Sequence, residues 1–189
     1  MPSTDSIPSG LLSTLEEITE LAARDREFGK LVTDVVCLIG NRFQTDVCSL
    51  YILEADGEHI GLAATVGLFQ DSVGVVRMRL DEGLAGLVAQ QLQPVMVPDN
   101  AASHPRFKYF PEAGEDPYHS FLGVPVVDRE QLEGVLVVQS RDPRAYAPDE
   151  IRMLTIVGRH LGTVIARYRE GTDAGAGTGI ASLRENGVT

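Results

Sequence analysis

The stretch Val47-Cys48-Ser49-Leu50-Tyr51-Ile52-Leu53, then Glu54-Ala55-Asp56-Gly57-Glu58, then His59-Ile60-Gly61-Leu62-Ala63-Ala64-Thr65-Val66 decides the fold class. Two runs rich in β-branched and aromatic residues flank an Asp-Gly pair, whose tolerance of positive φ makes it a strong signal for a tight hairpin. Gly67 stops the second run. An antiparallel pair of strands is therefore expected, and the flanking sequence must supply whatever covers its two faces.

Toward the N-terminus the apolar period lengthens to that of a helix. Leu11, Leu15, Ile18, Leu21 and Ala22 form one stripe; Phe28, Leu31, Val35, Leu38 and Ile39 form another. Arg24-Asp25-Arg26 marks a break between them, with Asp25 as candidate cap. Residues 1–10 are polar and read as a disordered lead.

Toward the C-terminus, Val76, Met78 and Leu80 alternate with Val75, Arg77 and Arg79, which predicts a strand over 75–80 with its arginines on the solvent face. Asp81-Glu82-Gly83 can cap a short helix over Leu84–Gln91, placing acid at its positive end. Pro94 leads into a short strand, Val95–Val97. Two longer strands, Phe121–Val127 and Leu132–Ser140, are joined by a turn at 128–131. Pro125 lacks an N–H, so its strand needs an edge or a bulge there. Pro148 suits a first helical position, and Ile151, Leu154, Leu161, Ile165 and Tyr168 carry a helix to about Arg169. Residues 171–189 read as a flexible tail, which leaves one domain over 11–170. This order of elements specifies an α+β domain: a mainly antiparallel sheet with the terminal helices on one face.

Between Pro98 and Pro117 lies a loop holding Pro98, Pro105, Pro111 and Pro117 together with Phe107, Tyr109 and Phe110. Loops beyond ~12–15 residues are uncommon in compact domains and concentrate function. Its aromatics would anchor it on the body.

The chain of 189 residues carries a formal net charge of −11, which disfavours nucleic acid and anionic lipid as partners. Neither a signal peptide nor an apolar run of the ~18 residues needed to span a membrane is present, so a cytoplasmic location is expected. Cys37 and Cys48 lie among apolar neighbours and read as two buried free thiols, with neither a disulfide nor a metal role.

Leu80-Asp81-Glu82-Gly83-Leu84-Ala85-Gly86-Leu87-Val88-Ala89 followed by Pro94-Val95-Met96-Val97-Pro98-Asp99 resembles the signature of the GAF domain family. Phe121–Val126 and Gly134–Val138 are similar to its last strands. The resemblance spans Leu11 to Arg169 and implies a GAF-like antiparallel sheet of about six strands, with a ligand pocket on the face opposite the terminal helices. It also implies a homodimer formed through those helices. The run from His104 to Pro125 is similar to the loop in the sensory domain of the nitrogen-related Enzyme I family, phosphotransferases that draw on phosphoenolpyruvate. That likeness implies a sensor of nitrogen-status metabolites, glutamine or 2-oxoglutarate, with phosphotransfer-system proteins as partners. About twenty residues follow Arg169, too few for the family's catalytic domains. The expectation is a free-standing sensor or a fragment without phosphotransferase activity and with no cofactor.

His104, Arg106, Lys108 and His119 form a basic group in an acidic chain and are candidate partners for a ligand carboxylate, arginine being able to grip one with two hydrogen bonds. Tyr109, Tyr118 and Ser120 are candidate neutral hydrogen-bonding groups. His104 and His119 lack a third metal ligand at a recognised spacing, and no catalytic triad or nucleophile elbow is present, so no catalytic or metal-binding residue is assigned. Gly83 and Gly86 read as turn and packing glycines. Two rival readings remain: a ligand-free interaction module, and the free methionine-R-sulfoxide reductase of the same fold, which needs reactive cysteines near the pocket.

Overall fold

Two stripes separated by a break give two helices, α1 (Leu11–Ala23) and α2 (Phe28–Phe43), in the computed structural model, which describes residues 10–24, 27–114 and 118–174. Leu11, Thr14 and Ile18 are the buried positions of α1; Leu31, Val32, Val35, Val36, Ile39 and Phe43 line the buried face of α2. Asp25, the candidate cap, lies outside the described residues, as do 1–9 of the lead; Glu27 precedes α2 without capping it through its side chain.

The hairpin forms as read. Strand β1 (Val47–Leu53) pairs with β2 (His59–Val66) through a turn in which Gly57 has φ 69° and the Asp56 carboxylate accepts from the N–H groups of Glu58 and His59 at 2.9 and 3.1 Å. Ala63 is an extra residue in the register, a bulge that turns both Ala63 and Ala64 to the helical side. Strands β3 (Arg77–Arg79), β4 (Val95–Val97), β5 (Ser120–Asp128) and β6 (Gln131–Ser140) complete one sheet of order β3-β2-β1-β6-β5-β4, antiparallel throughout. The strand expected from Val75 begins two residues later, because Gly74 at φ 75° turns the chain and leaves Val75 exposed. Arg77 and Arg79 do face solvent, where they pair with Glu54, Asp56 and Asp81.

The two-residue period of the strands divides the interior in two. Cys48, Leu50 and Ile52 of β1, Leu122, Val124 and Val126 of β5 and Leu136 and Val138 of β6 meet α1, α2 and the long C-terminal helix α4 (Pro148–Ala174). Tyr51, Ile60, Leu62, Phe121, Val135 and Val137 point the other way, under α3 (Gly83–Gln91) and the proline-rich segment. Pro125 satisfies both of its requirements: β4 pairs only with Phe121–Gly123, so β5 is an open edge beyond them, and a register shift follows at Val126/Val127.

Helix α4 opens with the Glu150 carboxylate accepting the Ala147 N–H at 2.8 Å, a capping-box contact that favours nucleation. The helix continues to Ala174, past the expected end near Arg169, so residues 171–174 of the expected flexible tail are helical. One glycine costs ~1 kcal/mol and does not stop a helix already propagating over many turns; residues 175–189 lie outside the described residues. Where α4 crosses β5, Gly158 and Gly162 leave no room for a side chain. A Cβ at 158 would stand 2.7 Å from the Pro125 carbonyl oxygen, and one at 162 would stand 2.1 Å from that of Val127.

Gly162→Ala should therefore destabilise the protein by ~3 kcal/mol, the upper part of the range for overpacking, far outweighing its gain in helix propensity of ~1 kcal/mol. Gly171→Ala in the same helix, with nothing within 4 Å, should be neutral or slightly stabilising. Chemical denaturation of the two variants beside the parent measures both, and equal midpoints would refute the close contact.

Candidate functional site

Helix α3 begins at Gly83, whose φ of 68° brings the chain sharply out of β3. Its neighbour Glu82 occupies the cap position, but the Glu82 side chain does not cap. The carboxylate turns back instead, accepting from the Arg79 N–H at 3.1 Å and from Lys108 Nζ at 2.7 Å. These bonds, that from Lys108 first, hold the Glu82 carboxyl below the ordinary carboxylate range. The first N–H groups of α3 are thus left without a side-chain acceptor at the positive end of the helix. Gly86 is a packing glycine: a Cβ there would lie 2.8 Å from the Leu80 carbonyl oxygen.

Opposite this helix end runs the segment from Pro98 to Gly114. It is shaped by two short 3₁₀ turns at Ala101–Ser103 and Pro111–Ala113. Backbone bonds tie it to the body: the Ala101 N–H donates to the His119 carbonyl at 3.0 Å, the Phe69 N–H to that of Ala113 at 3.0 Å and the Arg144 N–H to that of Pro98 at 2.8 Å. Two of its three aromatics anchor it, Phe110 buried and Phe107 partly buried against the second core, whereas Tyr109, expected to anchor it too, is exposed because it points away from the body.

A cavity of about 30 Å³ remains between these parts. Tyr51, Phe121, Val137 and Gln139 form its floor, Gly83, Leu84 and Ala85 its wall, and Phe107, Lys108 and Phe110 its roof. Its volume suits about two water molecules, against ~300–1,000 Å³ for drug-sized ligand sites. A small, partly open cavity thus lies on the face opposite the terminal helices, with Phe107 and Phe110 among its lining residues. Gln139 is the unusual member. It is 7% exposed, and among the described residues its side-chain amide has no hydrogen-bond partner. Its amide borders the open space of the cavity rather than being sealed from it.

The structure brings only Lys108 of the expected basic group to this cavity, where its ammonium also lies 5.1 Å from the centre of the Phe110 ring. Arg106 reaches the far end of α3 and donates to Gln90 Oε1 through both terminal nitrogens at 3.2 Å. His104 Nδ1 accepts from the Arg106 N–H at 3.1 Å and so shapes the turn. His119 is exposed, with Nδ1 2.8 Å from the Asp99 carboxylate. Tyr109 points to solvent, while buried Tyr118 directs its hydroxyl to the Gly67 carbonyl at 3.3 Å. Ser120 shares the parity of Leu122 and Val124 and is buried beneath the helices beside Tyr146, on the wrong face for the cavity. Proximity in sequence gathers these residues; the turns of the segment and the alternation of β5 disperse them. Gln139 was missed, although a glutamine at the inward parity of Val135 and Val137 is a legible irregularity.

Cys48 is buried on the helical side, and burial pushes its thiol well up. Cys37, expected to be buried, is exposed instead, because it falls in line with Thr33 and Asn41 on the outer face of α2. Neither lines the cavity, which withholds support from the reductase reading. Among the described residues, no group of three His, Cys, Asp or Glu is placed to hold a metal, and no helix is long and apolar enough to cross a membrane.

A family model described as GAF domain matches residues 22–166. The chain is 35% identical over 157 residues to a phosphoenolpyruvate-dependent phosphotransferase system protein of Escherichia coli, covering 83% of this chain and 21% of that protein. It is 28% identical over 163 residues to a Nif-specific regulatory protein of Herbaspirillum seropedicae, covering 84% of this chain and 30% of that one. The chain thus spans between a fifth and a third of these relatives' length. The structure is similar to that of the GAF domain from a phosphoenolpyruvate-protein phosphotransferase of Coxiella burnetii, with TM-score 0.79, 32% identity, and 88% of this chain and 98% of the other covered.

In the native state a thiol reagent at neutral pH should label Cys37 rapidly and leave Cys48 unreacted until denaturant is added. Mass spectrometry that found both thiols modified in the folded protein would contradict this placement.

Proposed function

The chain belongs to the GAF domain family, and we propose from that premise that it is the small-molecule sensor of a nitrogen phosphotransfer signalling protein, with a ligand of the glutamine or 2-oxoglutarate class. On this reading it catalyses nothing itself, and phosphotransfer-system proteins are its partners. One observation carries the proposal: the Gln139 amide, without a protein partner among the described residues, faces a cavity whose wall is the N-terminus of α3, not capped by Glu82, and whose roof holds Lys108. A helix N-terminus and an ammonium suit a carboxylate. An amide that both donates and accepts suits the remaining polar end of such a ligand. The cavity of about 30 Å³ must enlarge, so binding requires Phe107 and Phe110 to lift with their segment. Ligand would then shift the population toward a lifted, reordered segment.

The small volume also favours a second reading, an interaction module whose pocket is closed by its own aromatics. Both readings accommodate a homodimer, for which the groove of about 410 Å³ between α1 and α4, lined by Thr19, Ala22, His160, Val164 and Tyr168, offers a face. Light scattering is expected to give a dimer, and Ala22→Glu a monomer; a parent chain that scatters as a monomer removes this part of the proposal.

A thermal-shift comparison of glutamine, 2-oxoglutarate, other amino acids and 2-oxo acids separates the readings. A ligand at one hundred times its dissociation constant stabilises by ~2.7 kcal/mol, or about 5–10 °C for a domain of this size. Gln139→Leu should abolish the ligand's shift. An unmoved midpoint with every compound would leave only the interaction module.

A further inference from the structure

We propose that Glu82 is an internal substitute for the ligand's carboxylate: it occupies Lys108 in the ligand-free chain, and an incoming carboxylate displaces it and releases the segment over residues 104–114. This inference rests on the cavity being the ligand site. Its basis is that Glu82 stands where a capping residue stands, yet its carboxylate is spent on the Arg79 N–H and Lys108 Nζ, while the N–H groups of α3 go without a side-chain acceptor. The segment is clasped to α3 by side-chain bonds at both ends, Lys108 to Glu82 at the start and Arg106 to Gln90 at the finish. The first of these lies at the cavity, because Lys108 belongs to its roof and Gly83 to its wall.

A second carboxylate cannot join this arrangement as it stands. A second carboxylate brought against that of Glu82 is repelled by it, since like charges sharing one site disfavour each other. Asp81, on the other side of Glu82, adds to the repulsion despite its pairing with Arg79 at 3.0 Å. A ligand carboxylate reaching the α3 N-terminus must therefore replace Glu82 on Lys108, one carboxylate for another, with no net change in the charge that faces the ammonium. The exchange gives the site its requirement for an anion, since a neutral molecule of the same size neither repels Glu82 nor replaces it. It also couples occupancy to the clasp: once Glu82 swings out, the segment's own bond at that end is gone and only the ligand joins Lys108 to α3. The pair is half-exposed, with side chains 39% and 35% accessible, so the clasp is weak enough for a small metabolite to open.

The test uses the full chain, with glutamine, 2-oxoglutarate and uncharged glutaramide as probes, and the variants Glu82→Gln and Lys108→Met. Without ligand, both variants should speed amide hydrogen exchange over residues 104–114 by about 2–5-fold, the scale of a pair worth up to ~1 kcal/mol. Toward the carboxylate probes the variants should diverge. Glu82→Gln binds at least ~5-fold more tightly, for the repulsion and the competitor are gone, whereas Lys108→Met binds more weakly. Glutaramide should bind neither parent nor variant. A parent that binds a carboxylate probe and a Glu82→Gln chain that binds it equally or less tightly overturn the exchange while leaving the sensor reading standing. Unchanged hydrogen exchange in both variants overturns the clasp. If parent and Glu82→Gln alike ignore both carboxylates, the sensor reading fails and takes this inference with it; binding by Glu82→Gln alone supports it.

Discussion

At the crossing of α4 over β5 two backbones touch without side chains between them, and the arrangement of the remaining parts depends on that contact. Gly158 and Gly162 set the helix down against the carbonyls of Pro125 and Val127. Because these glycines sit one turn apart on one face, the contact is a stripe rather than a point. Thr163 then reaches the Asp128 carboxylate at 2.9 Å, and Arg169 bonds to Glu133 at 2.7 Å and to the Leu53 carbonyl. Helix, β5–β6 turn and the end of β1 thus become one rigid assembly. The proline in β5 contributes too: paired with β6 on one side and past the end of β4 on the other, it lacks the N–H that an open edge would leave without a ladder partner.

That assembly gives the sheet a firm side and a yielding side. On the helical face Leu50, Val124, Leu136, Leu154 and Leu161 fill a continuous core. On the opposite face a nine-residue helix and a segment with little regular structure do the covering. Conformational freedom concentrates where few buried contacts and few ladder bonds hold the chain. The Gln139 amide belongs to this yielding side. Its place in β6, paired with β1 on one side and β5 on the other, presents the polar group to the cavity from the interior of the sheet.

The sequence made much of this legible, and the failures have definite causes. Hairpin, terminal helices and the edge at Pro125 were readable because each follows from a local rule: positive φ at Asp-Gly, a helical apolar period, a missing N–H. The strand expected from Val75 shortened because Gly74 turns the chain, a backbone choice that alternation does not report. Cys37 proved exposed because its apolar neighbours are buried by the other faces of α2, so the flanking residues were a poor guide to its own direction. The basic group over residues 104–119 is close in sequence and scattered in space. Ser120 could have been placed correctly, since its parity with Leu122 and Val124 puts it under the helices. The size of the cavity could not, because it depends on how far two phenylalanine rings enter it, a matter of tertiary packing. Of the seven expected ligand residues Lys108 alone lines the cavity.

The length of α4 has a mechanical consequence. Its 27 residues are held near the middle by the glycine stripe, and Ala174 stands twelve residues beyond Gly162, a reach of about 18 Å at the helical rise per residue. Arg169 ties the helix to Glu133 and to the Leu53 carbonyl again beyond Gly162, so the helix as far as that residue follows the sheet. A rod fixed in this way carries any rearrangement of the sheet to the turns that follow Arg169, well away from where it began.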